Sequence, residues 1–179
     1  MNERDDNSLV LETLEGNGRA FEVLVDRYQK PIYNVALRII GDIDDAADVT
    51  QTVFLKVFQN LQSFNSQFKF FSWIYRIATN ESLNFVKSRK QFDALSEDLQ
   101  SDDKTPDESV HDSELEQTVQ KALMGLTVDQ RIVVVLCHFQ NLSYREIGFI
   151  LDIPEKTVKS RLFSARKTLR GLLQKERHP

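Results

Sequence analysis

Ser143-Tyr144-Arg145-Glu146-Ile147-Gly148-Phe149-Ile150-Leu151-Asp152-Ile153-Pro154-Glu155-Lys156-Thr157-Val158-Lys159-Ser160-Arg161-Leu162 is the stretch on which the reading of this chain turns. Ser143 and Glu146 stand three apart, the spacing at which a hydroxyl and a carboxylate satisfy each other's free N–H groups at a helix start. Asp152-Ile153-Pro154 makes a tight turn after a short helix, and a longer helix follows: a helix-turn-helix. On that second helix Val158, Leu162, Ala165 and Leu169 fall within about 60° of one another and form a buried stripe. Lys156, Lys159, Ser160, Phe163, Lys167 and Arg170 take the other side. Five of these six reach toward phosphates or base edges, and the ring of Phe163, with no core role on that face, suits a thymine methyl in a major groove. A solvated amphipathic helix in a plain bundle is the competing reading.

Outward from this motif the spacing of apolar residues stays helical, so the predicted class is all-α. A second start signature, Thr127 with Gln130, opens a segment whose β-branched run 132–136 reads as buried helix, since no partner strand appears nearby. In the first half Ser8 is the expected cap of a helix ending at Gly16-Asn17-Gly18. Phe21, Leu24, Val25 and Tyr28 mark a second, and Pro31 is expected to open a third that stops at Gly41. The next starts near Asp44 or Asp45. Its stripe is Val49, Val53, Val57 and Leu61, and Asp48, Gln51, Thr52, Leu55 and Gln59 share the opposite face. Leu55 is then one apolar residue on a polar surface, a weak sign of a partner.

Charge divides the 179 residues. Ten acids against one base give residues 93–116 a net −9, so that a chain of net −4 is +5 elsewhere. With serine, threonine and Pro106 and few large apolar residues, this block reads as a solvated linker. The expected domains are 1–92 and 113–179, joined by 93–112. Basic clusters flank the block, +4 over 69–90 and +6 over 155–177.

The first cluster is interleaved with rings. Phe64, Phe68, Phe70, Phe71, Trp73, Tyr75 and Phe85 lie within 22 residues, where an even spread of the chain's aromatics would place about two. Two readings fit: an aromatic-rich core, or rings for stacking unpaired bases with Lys69, Arg76, Lys87, Arg89 and Lys90 following the phosphates. Cys137 is alone and reads as a small apolar residue, and the three histidines are too scattered for a metal motif. No phosphate-binding glycine loop, ligand set or nucleophile–base pattern is visible, so neither an enzyme nor a cofactor is expected. No run is long and apolar enough to span a membrane and the acidic N-terminus does not suit a signal peptide, so no membrane insertion and a cytoplasmic site are expected.

A module for single strands and a module for duplex, joined by a linker, specify a protein that reads a promoter as it melts. Asp45-Ala46-Ala47-Asp48-Val49-Thr50-Gln51, Phe64 and 71–80 closely resemble region 2 of bacterial extracytoplasmic-function (ECF, group 4) sigma factors. Residues 142–148 and 153–162 resemble their region 4. The resemblance implies docking of Asp48, Gln51, Leu55 and Gln59 on the β′ clamp helices of core RNA polymerase, with the β flap as a second contact. It implies that Phe64, Lys69, Trp73, Tyr75, Arg76 and Asn80 hold the non-template strand of the minus-10 element. It further implies that Lys156, Lys159, Ser160, Phe163, Ser164 and Lys167 read the minus-35 duplex, that the acidic linker lies in the polymerase's RNA-exit path, and that an anti-sigma factor is a partner. Ala47 and Thr52 depart from the pattern, standing where relatives often carry carboxylates. Phosphorylation of Thr52 or Thr50 is a speculative way to restore the anion. The rival reading is a two-domain helix-turn-helix repressor or activator that acts without polymerase.

Overall fold

In a computed structural model, residues 5–96 and 114–177 are described, with the helical backbone alone at 93–96 and 173–177. All the regular elements there are helices: α1 (Asp6–Leu14), α2 (Gly18–Ile40), α3 (Ile43–Asn60), α4 (Phe70–Ser96), α5 (Glu114–Met124), α6 (Val128–Val134), α7 (Tyr144–Leu151) and α8 (Glu155–Arg177). A 3-10 turn, Leu61–Ser63, leads from α3 toward α4, and α6 widens into a π-helical turn over Val135–Phe139.

Two expectations for the first half are corrected. Asp5, not Ser8, occupies the position before α1, because Leu9 and Val10 are buried and the first turn must already be closed there, by Leu9 N–H donating to the Asp5 carbonyl. Pro31 opens no new helix but lies inside α2. It removes one backbone bond, a cost of about 3 kcal/mol. Leu24 and Tyr28 on one side of it and Ile32, Val35, Ala36 and Ile39 on the other are all buried on one face, and burying each large side chain contributes about 1.5–3 kcal/mol. Packing therefore outweighs the break.

Other signals hold. α3 starts at Ile43 with Asp42 as its cap, its side chain accepting from Asp45 N–H at 3.0 Å, and Val49, Val53, Val57 and Leu61 are all buried. Both capping boxes are formed. Residues 132–136 are buried helix, and Asp152 takes the left-handed turn at φ 54°. Helix α4 runs to Ser96, so the first four residues of the acidic block are helical; residues 97–113 lie outside the described residues.

The core does not stop between the halves. Leu24, Ile32, Ile39, Val53 and Ile74 belong to one cluster with Leu136, Ile147, Ile150 and Leu162. Helix α4 packs on α7, and α2 on α5 and α6. Gly41, left-handed at φ 87° after α2, sits so close to Met124 that a Cβ there would meet its sulfur at 2.8 Å.

Candidate nucleic-acid and partner interfaces

The aromatic segment is neither all core nor all surface. Phe70 is 1% exposed and forms the hub: Tyr28 and Phe64 meet it edge-on at 5.5 Å each, and Trp73 tilts against it at 5.8 Å. Phe64 and Trp73, 5.4 Å apart, are only partly buried. At about 100° per residue Asn80 lies within about 20° of Trp73 on α4, and it is exposed. Phe64 and Trp73 thus present stacking surface on the same face of α4 that carries, about 10 Å further along the axis, an amide that both donates and accepts.

The loop before α4 is held by Asn65, whose side chain accepts from Gln67 N–H at 2.9 Å and whose carbonyl accepts from Phe68 N–H at 3.0 Å. Residues 66–71 and Asp5, Asp6 and Asn7 line a cleft of about 380 Å³. Lys69 extends from its rim with its ammonium 5.5 Å from the Phe71 ring.

Tyr75 and Arg76 point elsewhere. Tyr75 is 6% exposed and its hydroxyl donates to Gln140 Oε1 at 2.7 Å; burial pushes the phenol up to about 12. Arg76 donates to the carbonyls of Phe149 and Ile150 at the end of α7, with its guanidinium 5.0 Å from the Phe149 ring. In this arrangement both are turned to the C-terminal half and away from the Trp73 patch.

On α8 the basic face stands clear. Lys156, Lys159, Ser160, Lys167 and Arg170 are exposed, and Phe163 is 74% exposed. Lys159 pairs with Glu155 at 3.0 Å, and Arg161 with Asp129 at 2.8 Å, tying α8 to α6. Ser164 is different: it is half-buried, accepting from Gln130 Nε2 at 3.1 Å and donating to the Arg161 carbonyl at 3.0 Å. Its hydroxyl faces α6. Glu146, held in the capping box of α7, has its carboxyl lowered chiefly by the Ser143 N–H, then by the Ser143 hydroxyl.

A third surface lies between α2 and α3. Phe21, Val25 and Gln29 face Thr50, Gln51, Phe54, Leu55 and Phe58 across an open groove of about 430 Å³. Leu55 is 62% and Phe58 58% exposed, and Phe58 meets Phe21 at 5.0 Å. Asp48, Gln51 and Gln59 are exposed around it. Sequence reasoning missed Phe54, Phe58 and the α2 residues, although Phe58 follows Leu55 at helical spacing and was the available signal. Thr50 and Thr52 donate their hydroxyls to the Ala46 and Asp48 carbonyls, at 2.7 and 3.0 Å. No group of metal-ligating side chains occurs among the described residues, and no described helix is long and apolar enough to cross a membrane.

Comparison with known proteins accounts for both halves. Residues 24–92 match the sigma-70 region 2 family and residues 116–169 the sigma-70 region 4 family. The RNA polymerase sigma-H factor of Pseudomonas aeruginosa is 32% identical, with 97% of this chain and 96% of that protein covered. The ECF RNA polymerase sigma factor SigW of Bacillus subtilis is 33% identical over 92% of this chain and 95% of its own. Among solved structures, CnrH in complex with the cytosolic domain of CnrY superposes with a TM-score of 0.74 at 25% identity, covering 94% of this chain and 97% of that one. A repressor acting alone accounts only for the helix-turn-helix, whereas a sigma factor accounts for both halves in order. The chain belongs to the extracytoplasmic-function sigma factors, RNA polymerase sigma factors built from a region 2 followed by a region 4.

Proposed function

We propose that this sigma factor divides promoter recognition among three surfaces. The α2–α3 groove, with Leu55 and Phe58 at its centre and Asp48, Gln51 and Gln59 around it, docks on core polymerase; exposed apolar side chains ringed by polar ones are the ordinary makeup of a binding hot spot. Phe64, Trp73 and Asn80 grip the separated minus-10 strand, with Lys69, Arg76 and Tyr75 joining once they are free of the Glu146 carboxylate, the end of α7 and Gln140. Lys156, Lys159, Ser160, Phe163 and Lys167 contact the minus-35 duplex. Ser164 supports α8 from behind by its bond to Gln130. Regions 1–92 and 113–179 act as two modules, and residues 93–112 span between them.

The protein works in the cytoplasm and breaks no bond itself; it confers sequence specificity on the polymerase. The structural relative CnrH is in complex with the cytosolic domain of CnrY, and an anti-sigma factor is the expected regulator here. Phosphorylation at Thr50 or Thr52 has less support, because both hydroxyls are engaged with backbone carbonyls.

The observation that carries this reading is the face of α4 on which the partly exposed rings of Phe64 and Trp73 lie over a buried hub and, about two turns on, the Asn80 amide is exposed. Transcription with purified core polymerase on a randomised promoter library tests it. Enrichment of paired minus-35 and minus-10 elements that need this protein is expected. Tight binding to duplex without polymerase, and no transcript with it, would contradict the reading.

A further inference from the structure

Helix α1 carries none of the residues assigned to strand, duplex or polymerase, yet it reaches the strand-gripping segment by three routes. Leu9 and Val10 anchor it in the core. It packs on the 3-10 turn Leu61–Ser63, which leads directly into Phe64. At its start the Asp6 carboxylate is held at both oxygens: Oδ1 pairs with the Arg27 guanidinium, and Oδ2 accepts from the Tyr28 hydroxyl at 2.5 Å. One residue on, Asn7 Nδ2 donates to the Ser66 carbonyl across a long 3.4 Å. Asp5, Asp6 and Asn7 thereby close one side of the cleft lined on the other by residues 66–71.

Tyr28 gives these contacts a consequence. It is buried, and its ring meets Phe70 edge-on at 5.5 Å; Phe70 in turn backs Phe64 at 5.5 Å and Trp73 at 5.8 Å. A buried phenol needs an acceptor, and leaving it without one costs more than the bond itself contributes. Asp6 supplies that acceptor. Burial, and after it the Asp6 bond, hold the phenol well above its ordinary range, so it remains a donor at every working pH. In a close-packed interior a shift of Tyr28 passes to Phe70 and to the two rings resting on it. Stacking is sensitive to such a shift, since a gap of about 0.5–1 Å forfeits a quarter to a half of the contact.

We propose that Asp6 and Asn7 are positioning residues for strand recognition. Asp6 acts through Tyr28 and Phe70 on the stacking rings of Phe64 and Trp73, and Asn7 acts through Ser66 on the loop that carries Lys69. The inference rests on the strand-binding reading above and adds to it a support on a separate helix.

Asp6→Ala with Asn7→Ala is compared with the parent in holoenzyme assembled on purified core polymerase. Anisotropy of a fluorescein-labelled single strand carrying the enriched minus-10 element reads strand affinity, a labelled minus-35 duplex reads the other half, and competition for core polymerase reads docking. Strand affinity is expected to fall about tenfold, within the range for one stacked base, with duplex and core affinities unchanged within about twofold. In a Phe64→Ala, Trp73→Ala background the same pair is expected to cost at most about threefold, because residues that act through one another are not additive. Unchanged strand affinity would overturn the proposal, as would the same loss in both backgrounds or a parallel fall in duplex and core affinity, each the mark of a general prop of the fold. If thermal unfolding shows the pair melting below the assay temperature, Tyr28→Phe with Asn7→Ala replaces it, with the same expectations; it keeps the Asp6–Arg27 pair and a ring against Phe70 and removes only the hydroxyl link. A parent holoenzyme that binds the strand no better than the Phe64→Ala, Trp73→Ala form counts against the functional reading itself. A clear difference there, with no effect of the α1 pair, counts against the role of α1 alone.

Discussion

Helix α8 and the aromatic start of α4 are both rich in cations and rings, yet they place them differently. On α8 the division is clean: Val158, Leu162 and Ala165 are buried, and Lys156, Lys159, Ser160 and Phe163 are exposed. On α4 the same residue types are shared among three tasks. Phe70 is core, Trp73 and Asn80 face outward or partly so, and Tyr75 and Arg76 bind the other half. A duplex reader needs one polar face. A strand reader needs rings that are rigidly backed, and the backing consumes some of them.

The sharpest break of this comparison is Phe70→Ala against Phe163→Ala. Phe70 is the hub of four rings, and its loss is expected to cost about 3–5 kcal/mol of stability. Phe163→Ala leaves stability within about 0.5 kcal/mol and weakens duplex binding instead. Thermal unfolding and duplex anisotropy on both variants check this, and equal destabilisation would erase the distinction. Next in size, Leu55→Asp is expected to weaken core-polymerase binding by at least about 30-fold, the equivalent of a hot-spot loss near 2 kcal/mol, while melting as the parent does. The smallest effect belongs to Tyr75→Phe, which removes one hydrogen bond worth about 1 kcal/mol. Burial raises the Tyr75 phenol to about 12 from the usual 10.0, so its contribution is complete below pH 10 and is lost as pH rises from 10 toward 12. The unaltered chain should therefore lose stability more steeply than Tyr75→Phe across that window. Parallel stability curves would show that the phenol is not buried in solution.

Much of this was legible in the chain's letters because local chemistry determines it. Thr127 with Gln130 and Ser143 with Glu146 each specify a helix start at fixed spacing, and Val49, Val53, Val57 and Leu61 declare a buried stripe. Pro31 was misread because the cost of a proline is local whereas the burial that overrides it, from Leu24 to Ile39, is tertiary. The groove was half seen: Leu55 stood out on a polar face, but Phe21 and Val25 come from another helix and only folding brings them opposite Phe54 and Phe58. Nothing in the sequence assigned Arg131 or Arg76 to the ends of α2 and α7, since a guanidinium that serves backbone carbonyls needs no particular partner residue and leaves no pairwise signature.

The central claim is that one half grips a separated strand while the other holds duplex, and permanganate reactivity of promoter thymines tests it most directly. Holoenzymes carrying Trp73→Ala or Asn80→Ala should still occupy the promoter but lose thymine reactivity in the minus-10 region by about tenfold, within the range for one stacked base. Holoenzyme carrying Lys159→Ala should lose occupancy, and about one unit of salt dependence, with normal reactivity in the complexes that remain. If all three variants reduced occupancy and reactivity in the same proportion, the division between strand and duplex would be contradicted.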